Sequence, residues 1–252
     1  MIRTNMLQET ENKKVTTAKG CFVVLEYMKD ISVHHSTAME AYYASMMNVH
    51  QKQLIANLNN NSVIIQAGAM QMILGNIQAS SDIKGLGDLV KKSFSSKATG
   101  ETAVKPKYSG VGQLVLEPTY KHIILQDLAE WGGSMVIDDG LFLACESTVD
   151  MKVVARTNLS SALAGGEGLF NTCFTGKGVV ALESKIPYDE LIVFDLENDC
   201  IKIDGNMAVA WSNSLQFTVE KATKSIVGSV ASGEGLVNVY KGTGRILVAP
   251  VC

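Results

Sequence analysis

Short apolar runs, each closed by glycine or a polar cluster, dominate the chain. HIILQDL begins at His122, LIVFDL at Leu191, QLVLE at Gln113, VVALE at Val179 and RILVA at Arg245. MVI from Met135 and LFLAC from Leu141 are shorter examples of the same kind. Val, Ile, Leu and Phe in runs of this length are the signature of β-strands. Several runs are apolar at consecutive rather than alternate positions, which predicts strands covered on both faces. Asp139-Gly140 and Asp204-Gly205 stand between apolar runs and predict tight hairpins of type I′, a turn that needs φ > 0 at both central residues. Ala67-Gly68 occupies the matching place earlier in the chain and predicts a different turn.

The pattern repeats. YSGVGQLVLEP from Tyr108, FTGKGVVALES from Phe174 and YKGTGRILVAP from Tyr240 align without gaps, so Gly110, Gly176 and Gly242 recur at one constant interval. Upstream of each lies a Gly-Glu pair, which places Glu101, Glu167 and Glu234 in matching positions. Each copy opens with a segment centred on Gly68, Gly140 or Gly205. Such self-similarity implies one unit copied in tandem, its greasy faces covered by its neighbours. The expected fold is therefore all-β: three tandem β-sandwich-like repeats of about five or six strands each, with approximate threefold symmetry. The expected boundaries are an N-terminal extension over 1–45, repeat 1 over 46–118, repeat 2 over 119–184 and repeat 3 over 185–252, in one compact domain.

Two regions depart from the unit. IKGLGDLVKKSF carries Ile83, Leu86, Leu89, Val90 and Phe94 at helical spacing, with Lys84, Lys91 and Lys92 beside them. This predicts one short helix inserted in repeat 1, capping a sheet end, with docking to a membrane or partner as the alternative. Residues 1–45 have no counterpart in the later copies. Their start is polar and predicts a frayed end, CFVVLEY predicts a strand, and STAMEAYYASMMN fits either a helix or a strand.

Composition narrows the function classes. Of 252 residues, 46% are apolar, enough for a sizeable core and incompatible with a disordered chain. Lys plus Arg is 22 against 25 for Asp plus Glu, a net charge of −3, which argues against a protein built to neutralise nucleic-acid phosphates. The five cysteines are widely spaced without a C-x-x-C pair, as expected of reduced, mostly buried thiols in a cytoplasmic protein. MIRTNMLQETENKK resembles neither a secretory signal nor a transit peptide, and no apolar run approaches the length of a membrane-spanning helix.

Candidate chemistry is sparse. FTGKGVVA matches the spacing of a dinucleotide fingerprint, but a strand rather than a helix follows it, so the glycines are read as a turn or bulge and no cofactor is expected. Glu101, Glu167 and Glu234 would form a cation site if their turns converged on a threefold axis. The simpler reading, adopted here, has each carboxylate accept backbone N–H bonds in its own turn or face water. His34, His35, His50 and His122 lack metal-ligand spacing, and no nucleophile elbow is present. Trp131 and Trp211 suit core or edge packing.

GGEGLFNTCFTGKGVVALES, PYDELIVFDL and SGEGLVNVYKGTGRILVAP resemble the altered-inheritance-of-mitochondria family of mitochondrial biogenesis proteins and its bacterial relatives, over about residues 50–250. The resemblance implies a fold like the tryptophan RNA-binding attenuator proteins. It brings no catalytic residue set. The lack of a transit peptide points to a bacterial-type member. These observations lead us to expect a non-enzymatic binding or scaffold protein, acting on an unknown protein partner or a peripheral membrane assembly, with no nucleic acid and with self-association open. The alternatives are an RNA-binding module, which needs exposed aromatics interleaved with lysines, and a carboxylate or metal-dependent hydrolase.

Overall fold

A computed structural model describes residues 2–80, 105–155, 170–205, 207–221 and 236–250. The chain opens with an antiparallel pair, β1 (Lys13–Lys19) and β2 (Phe22–Tyr27), followed by helix α1 (Ala38–Met46). The first copy supplies β3 (Gln51–Ile65), β4 (Met70–Ser80) and β5 (Lys107–Leu116). The second supplies β6 (His122–Asp127), β7 (Ser134–Ile137), β8 (Phe142–Glu146), β9 (Val149–Ala155), β10 (Phe170–Gly176) and β11 (Val179–Ser184). The third supplies β12 (Ile192–Asp204), β13 (Ala208–Ser212), β14 (Gln216–Lys221) and β15 (Leu236–Val248). The fold is all-β, as the apolar runs predict.

These strands form an eight-stranded and a seven-stranded sheet. One topology recurs in every copy: the last strand lies between the first two. β5 pairs with both β3 and β4, and β15 pairs with β12 on one side and β13 and β14 on the other. In the second copy each long strand is broken in two. There β11 lies between β6 and β8 in the first sheet, while β10 lies between β7 and β9 in the second. The middle copy thus ties the sheets together. Pairing of Val63–Ile65 with β8 joins copies one and two, and pairing of Ala210–Ser212 with β7 joins copies two and three.

This topology corrects the hairpin expectation. β7 and β8 do not pair, nor do β12 and β13: Asp139-Gly140 carries the chain from the second sheet to the first, and Asp204-Gly205 carries it past the intervening β15. Gly140 and Gly205 have φ of 77° and 59°, but neither aspartate has positive φ, which excludes type I′. The hairpin partners in each copy are its second and third strands, joined by 81–104, 156–169 and 222–235. The anticipated helix over 83–94 lies outside the described residues.

Consecutive apolar positions do face two cores. Ile123 and Leu125 join a cluster with Phe22, Leu54 and Leu114, whereas Ile124 joins a second cluster with Phe142, Phe174 and Leu247. Val179 and Ala181 point to the first of these, Val180 and Leu182 to the second. Ile246 and Val248 join a third cluster with Trp211 and Tyr240, while Leu247 between them faces the second. LIVFDL differs. Among the described residues β12 pairs only with β15, and Ile192 and Val193 stay 43% and 41% exposed.

The N-terminal region is part of the sheet. CFVVLEY supplies β2, which pairs with β3, and the polar KKVTTAK forms β1 outside it. Met6 and Leu7 pack over Leu25, Ile55 and Val115. STAMEAYYASMMN resolves as helix α1, and none of its residues is buried.

Candidate functional site

Glu101, Glu167 and Glu234 fall in the three hairpin connections, outside the described residues. Gly110 lies within β5 and Gly242 within β15, while Gly176 ends β10. Their φ values are 142°, 130° and 115°. In copies one and three the strand therefore runs on through the glycine pair. In copy two the pair is the corner at which the chain leaves the second sheet for the first. Close backbone approach explains the residue type best at Gly112, where a Cβ would stand 1.9 Å from the Leu74 carbonyl oxygen. At Gly176 it would stand 2.8 Å from that of Thr148.

Opposite these glycines the first strand of each copy also deforms. The β3–β5 register jumps around Asn60 (φ 58°), and the β12–β15 register jumps around Asn198 (φ 52°). Copy two has a 3₁₀ turn, Leu128–Trp131, in that place, and the Leu128 N–H donates to the Gly178 carbonyl at 3.0 Å. Both strands must bend at one level for the ribbon to curl, so the deformations occur together.

A carboxylate that the sequence pattern does not single out holds the copy-two corner. Glu146, half-buried at the end of β8, accepts the Cys21 backbone N–H on Oε1 at 2.9 Å and the Val179 N–H on Oε2 at 3.0 Å. Gly20 and Gly178 leave it room, since a Cβ on either would stand 2.6 and 2.8 Å from its oxygens. Copy three makes the same contact with a hydroxyl: the Arg245 N–H, just past Gly244, donates to Ser212 Oγ at 3.0 Å. Burial, then the Glu146 charge, pushes the Cys21 thiol up to about 12. Burial pushes the neighbouring Cys145 up to about 12 as well. Neither thiol is poised as a nucleophile.

The main buried charge cluster lies where β2, β3 and β6 meet. Glu26 Oε1 is 2.8 Å from His50 Nδ1 and 3.4 Å from Lys52 Nζ, and the ammonium also donates to the His50 carbonyl at 3.1 Å. His50 and Lys52 are each 6% exposed. Burial, with Lys52 nearby, holds the His122 imidazole below its ordinary pKa. Around the rim, Tyr120 donates to Asp30 at 2.9 Å and accepts from Gln51 at 3.1 Å. Asp30 raises the Tyr120 pKa. Glu26 and Lys52 pair with each other inside the wall of the sheet, with His50 beside them. No three His, Cys, Asp or Glu side chains among the described residues are placed to share a metal ion.

Above this cluster sits α1. Ala41, Ala44 and Ser45 turn toward the protein, and Ser45 Oγ donates to the Met28 carbonyl at 3.3 Å. The apolar stripe points the other way: Met39 is 74% exposed, Tyr42 61%, Tyr43 62% and Met46 65%. A helix on a globular surface ordinarily buries that stripe. Here the small residues face inward.

Among the described residues no helix is long and apolar enough to cross a membrane. An uncharacterised protein of Streptococcus pyogenes serotype M6 is 29% identical over 198 residues, covering 75% of this chain and 77% of the relative. The X-ray crystal structure of another Streptococcus pyogenes protein matches with a TM-score of 0.58 and 25% identity, over 81% of this chain and 89% of that one. The family model described as mitochondrial biogenesis AIM24 matches residues 44–251. The chain belongs to the mitochondrial biogenesis AIM24 family, and among its similar proteins are these bacterial ones.

Proposed function

We propose that this chain is a non-enzymatic binding protein, a β scaffold that presents an apolar helix to a protein partner. One observation carries the reading: α1 turns Met39, Tyr42, Tyr43 and Met46 outward. Met and Tyr are residue types enriched where proteins meet. The polar groups support the same reading. Glu146 is spent on two backbone N–H groups, and Glu26, His50 and Lys52 on one another.

The test is affinity capture from lysate of the native host, with wild-type chain and a Tyr42→Ser/Tyr43→Ser variant as baits. The expected result is a protein retained by wild type and depleted at least tenfold by the variant. Equal capture by both overturns the assignment to α1. Retention of RNA at low salt, or a hydrolytic activity abolished by Lys52→Met in a folded protein, overturns the class.

A further inference from the structure

We propose that the partner seated on α1 is a second copy of this chain, docked as an antiparallel helix pair about a twofold axis. This rests on the binding reading above and names its occupant. Three observations lead to it.

The first is the symmetry of the stripe. From Met39 to Met46 the outward apolar residues read Met, Tyr, Tyr, Met, with two residues between each Met and the nearer Tyr. Reversed, the order and spacing are unchanged. An antiparallel partner therefore sets Met39 against Met46 of the second copy, and Tyr42 against its Tyr43. A twofold contact requires such self-complementarity, because each half of the surface must fit the other. The inward Ala41 and Ala44 follow the same reversal.

The second is area. Met47 adds a 76% exposed side chain to the stripe. Taking about 200 Å² for a freely exposed side chain of this size, the five residues present on the order of 700 Å². A standard stable interface needs about 800 Å² per partner. The stripe together with Met47 supplies most of that area.

The third is charge. Between Asp30 and Lys52 the only Asp, Glu, Lys or Arg is Glu40. A helix that lies on an anionic bilayer carries Lys or Arg on its polar face, and α1 has neither. In the antiparallel pair Glu40 lies at the level of Ser45 of the second copy, so the two Glu40 side chains are offset along the helices by about 7.5 Å and do not meet.

Sedimentation equilibrium of the full chain at micromolar concentration tests the proposal, with Tyr42→Asp/Tyr43→Asp as the disrupting variant. A dimer is expected, and the variant should weaken it at least a hundredfold. Because both tyrosines are exposed, its melting temperature should match that of wild type diluted below its dissociation constant, which separates lost association from lost folding. Orientation is read by cross-linking in a Cys200→Ser/Cys252→Ser background. A mixture of Met39→Cys and Met46→Cys chains should form the intermolecular disulfide, while Met39→Cys alone should not. Seven residues of helix offset the two Met39 positions by about 10 Å, beyond the reach of a disulfide. A monomer at 50 μM overturns the proposal, as does a disulfide formed readily by Met39→Cys alone. A monomer that sediments with phosphatidylserine vesicles also overturns it, the occupant then being lipid. A monomer that still captures a different protein through Tyr42 and Tyr43 overturns the second copy as occupant and leaves the binding reading standing.

Discussion

Glu146 offers the sharpest quantitative check on how the copy-two corner is held. Its carboxylate is the acceptor for two backbone N–H groups, those of Cys21 at 2.9 Å and Val179 at 3.0 Å. Truncation to alanine removes both acceptors at once. A hydrogen bond to a charged group contributes about 1.5–3 kcal/mol net. Glu146 is half-buried, so water re-solvates part of what is lost. The lower end of that range applies to each bond, giving about 3 kcal/mol for Glu146→Ala. In a domain of this size 1 kcal/mol shifts the melting temperature by roughly 2–4 °C, so a drop of roughly 6–12 °C is expected in calorimetry. Glu146→Gln keeps one acceptor and should lose about half as much. A double-mutant cycle with Gly20→Ala isolates the contact. In wild type the added methyl meets both the Glu146 carboxylate at 2.6 Å and left-handed backbone at φ 58°. With Glu146→Ala already in place the backbone strain, about 1 kcal/mol, and the contact with Val179 Cγ2 at 2.8 Å remain. The two losses should therefore be less than additive, by 1 kcal/mol or more. If Glu146→Ala stays within about 0.5 kcal/mol of wild type in urea titration, the carboxylate does not hold the corner and the argument fails.

Other consequences follow from the same geometry. Gly112→Ala should cost about 3 kcal/mol or more, because its Cβ meets the Leu74 carbonyl at 1.9 Å. Gly140→Ala, with nothing within 4 Å, should cost about 1 kcal/mol; similar denaturation midpoints for the two would refute the close-approach account. Stability should fall as pH rises from about 8.5. The unfolded thiols ionise there, whereas Cys21 and Cys145 hold their protons in the fold up to about 12. Native protein then binds more protons than unfolded protein, so the slope is negative, about 1.4 kcal/mol per pH unit for each thiol. Urea midpoints at pH 8, 9 and 10 would show it, and a flat profile would contradict it. His122 acts on the acid side: its pKa is lowered in the fold, so its contribution is complete above about 6.5 and declines as pH falls toward the folded value. Lys52→Met should destabilise by about 3–5 kcal/mol, by leaving the Glu26 carboxylate buried with its cation gone. Recovery in the Glu26→Gln/Lys52→Met double variant would confirm that the pairing is the cause.

Much of the architecture was legible before any coordinates. HIILQDL and VVALE have the greasy consecutive positions of strands covered on both sides, and Ile124 and Val180 do face a different core from their neighbours. The turns at Asp139-Gly140 and Asp204-Gly205 were misread because a local signal reports only a local bend. Whether the two flanking runs pair is settled tens of residues later, where β10 and β11 hold β7 and β8 in different sheets and β15 inserts between β12 and β13. Glu146 left no local trace, since its partners are main-chain groups at sequence separations of 125 and 33 residues. The cluster of Glu26, His50 and Lys52 was hidden similarly. Glu26 faces Lys52 only through the β2–β3 register.

Copying of a short unit, strand character and the positions where a side chain cannot be accommodated are written in residue order, because they depend on period, branching and backbone freedom. The direction of a face is not. MEAYYASMM carries an apolar stripe at helical spacing wherever it is placed. Its small-residue side came to rest on the protein because Ser45 reaches the Met28 carbonyl beyond β2 and His50 leads directly into β3. Burial is a property of what surrounds a side chain, and those surroundings exist only once distant segments have met.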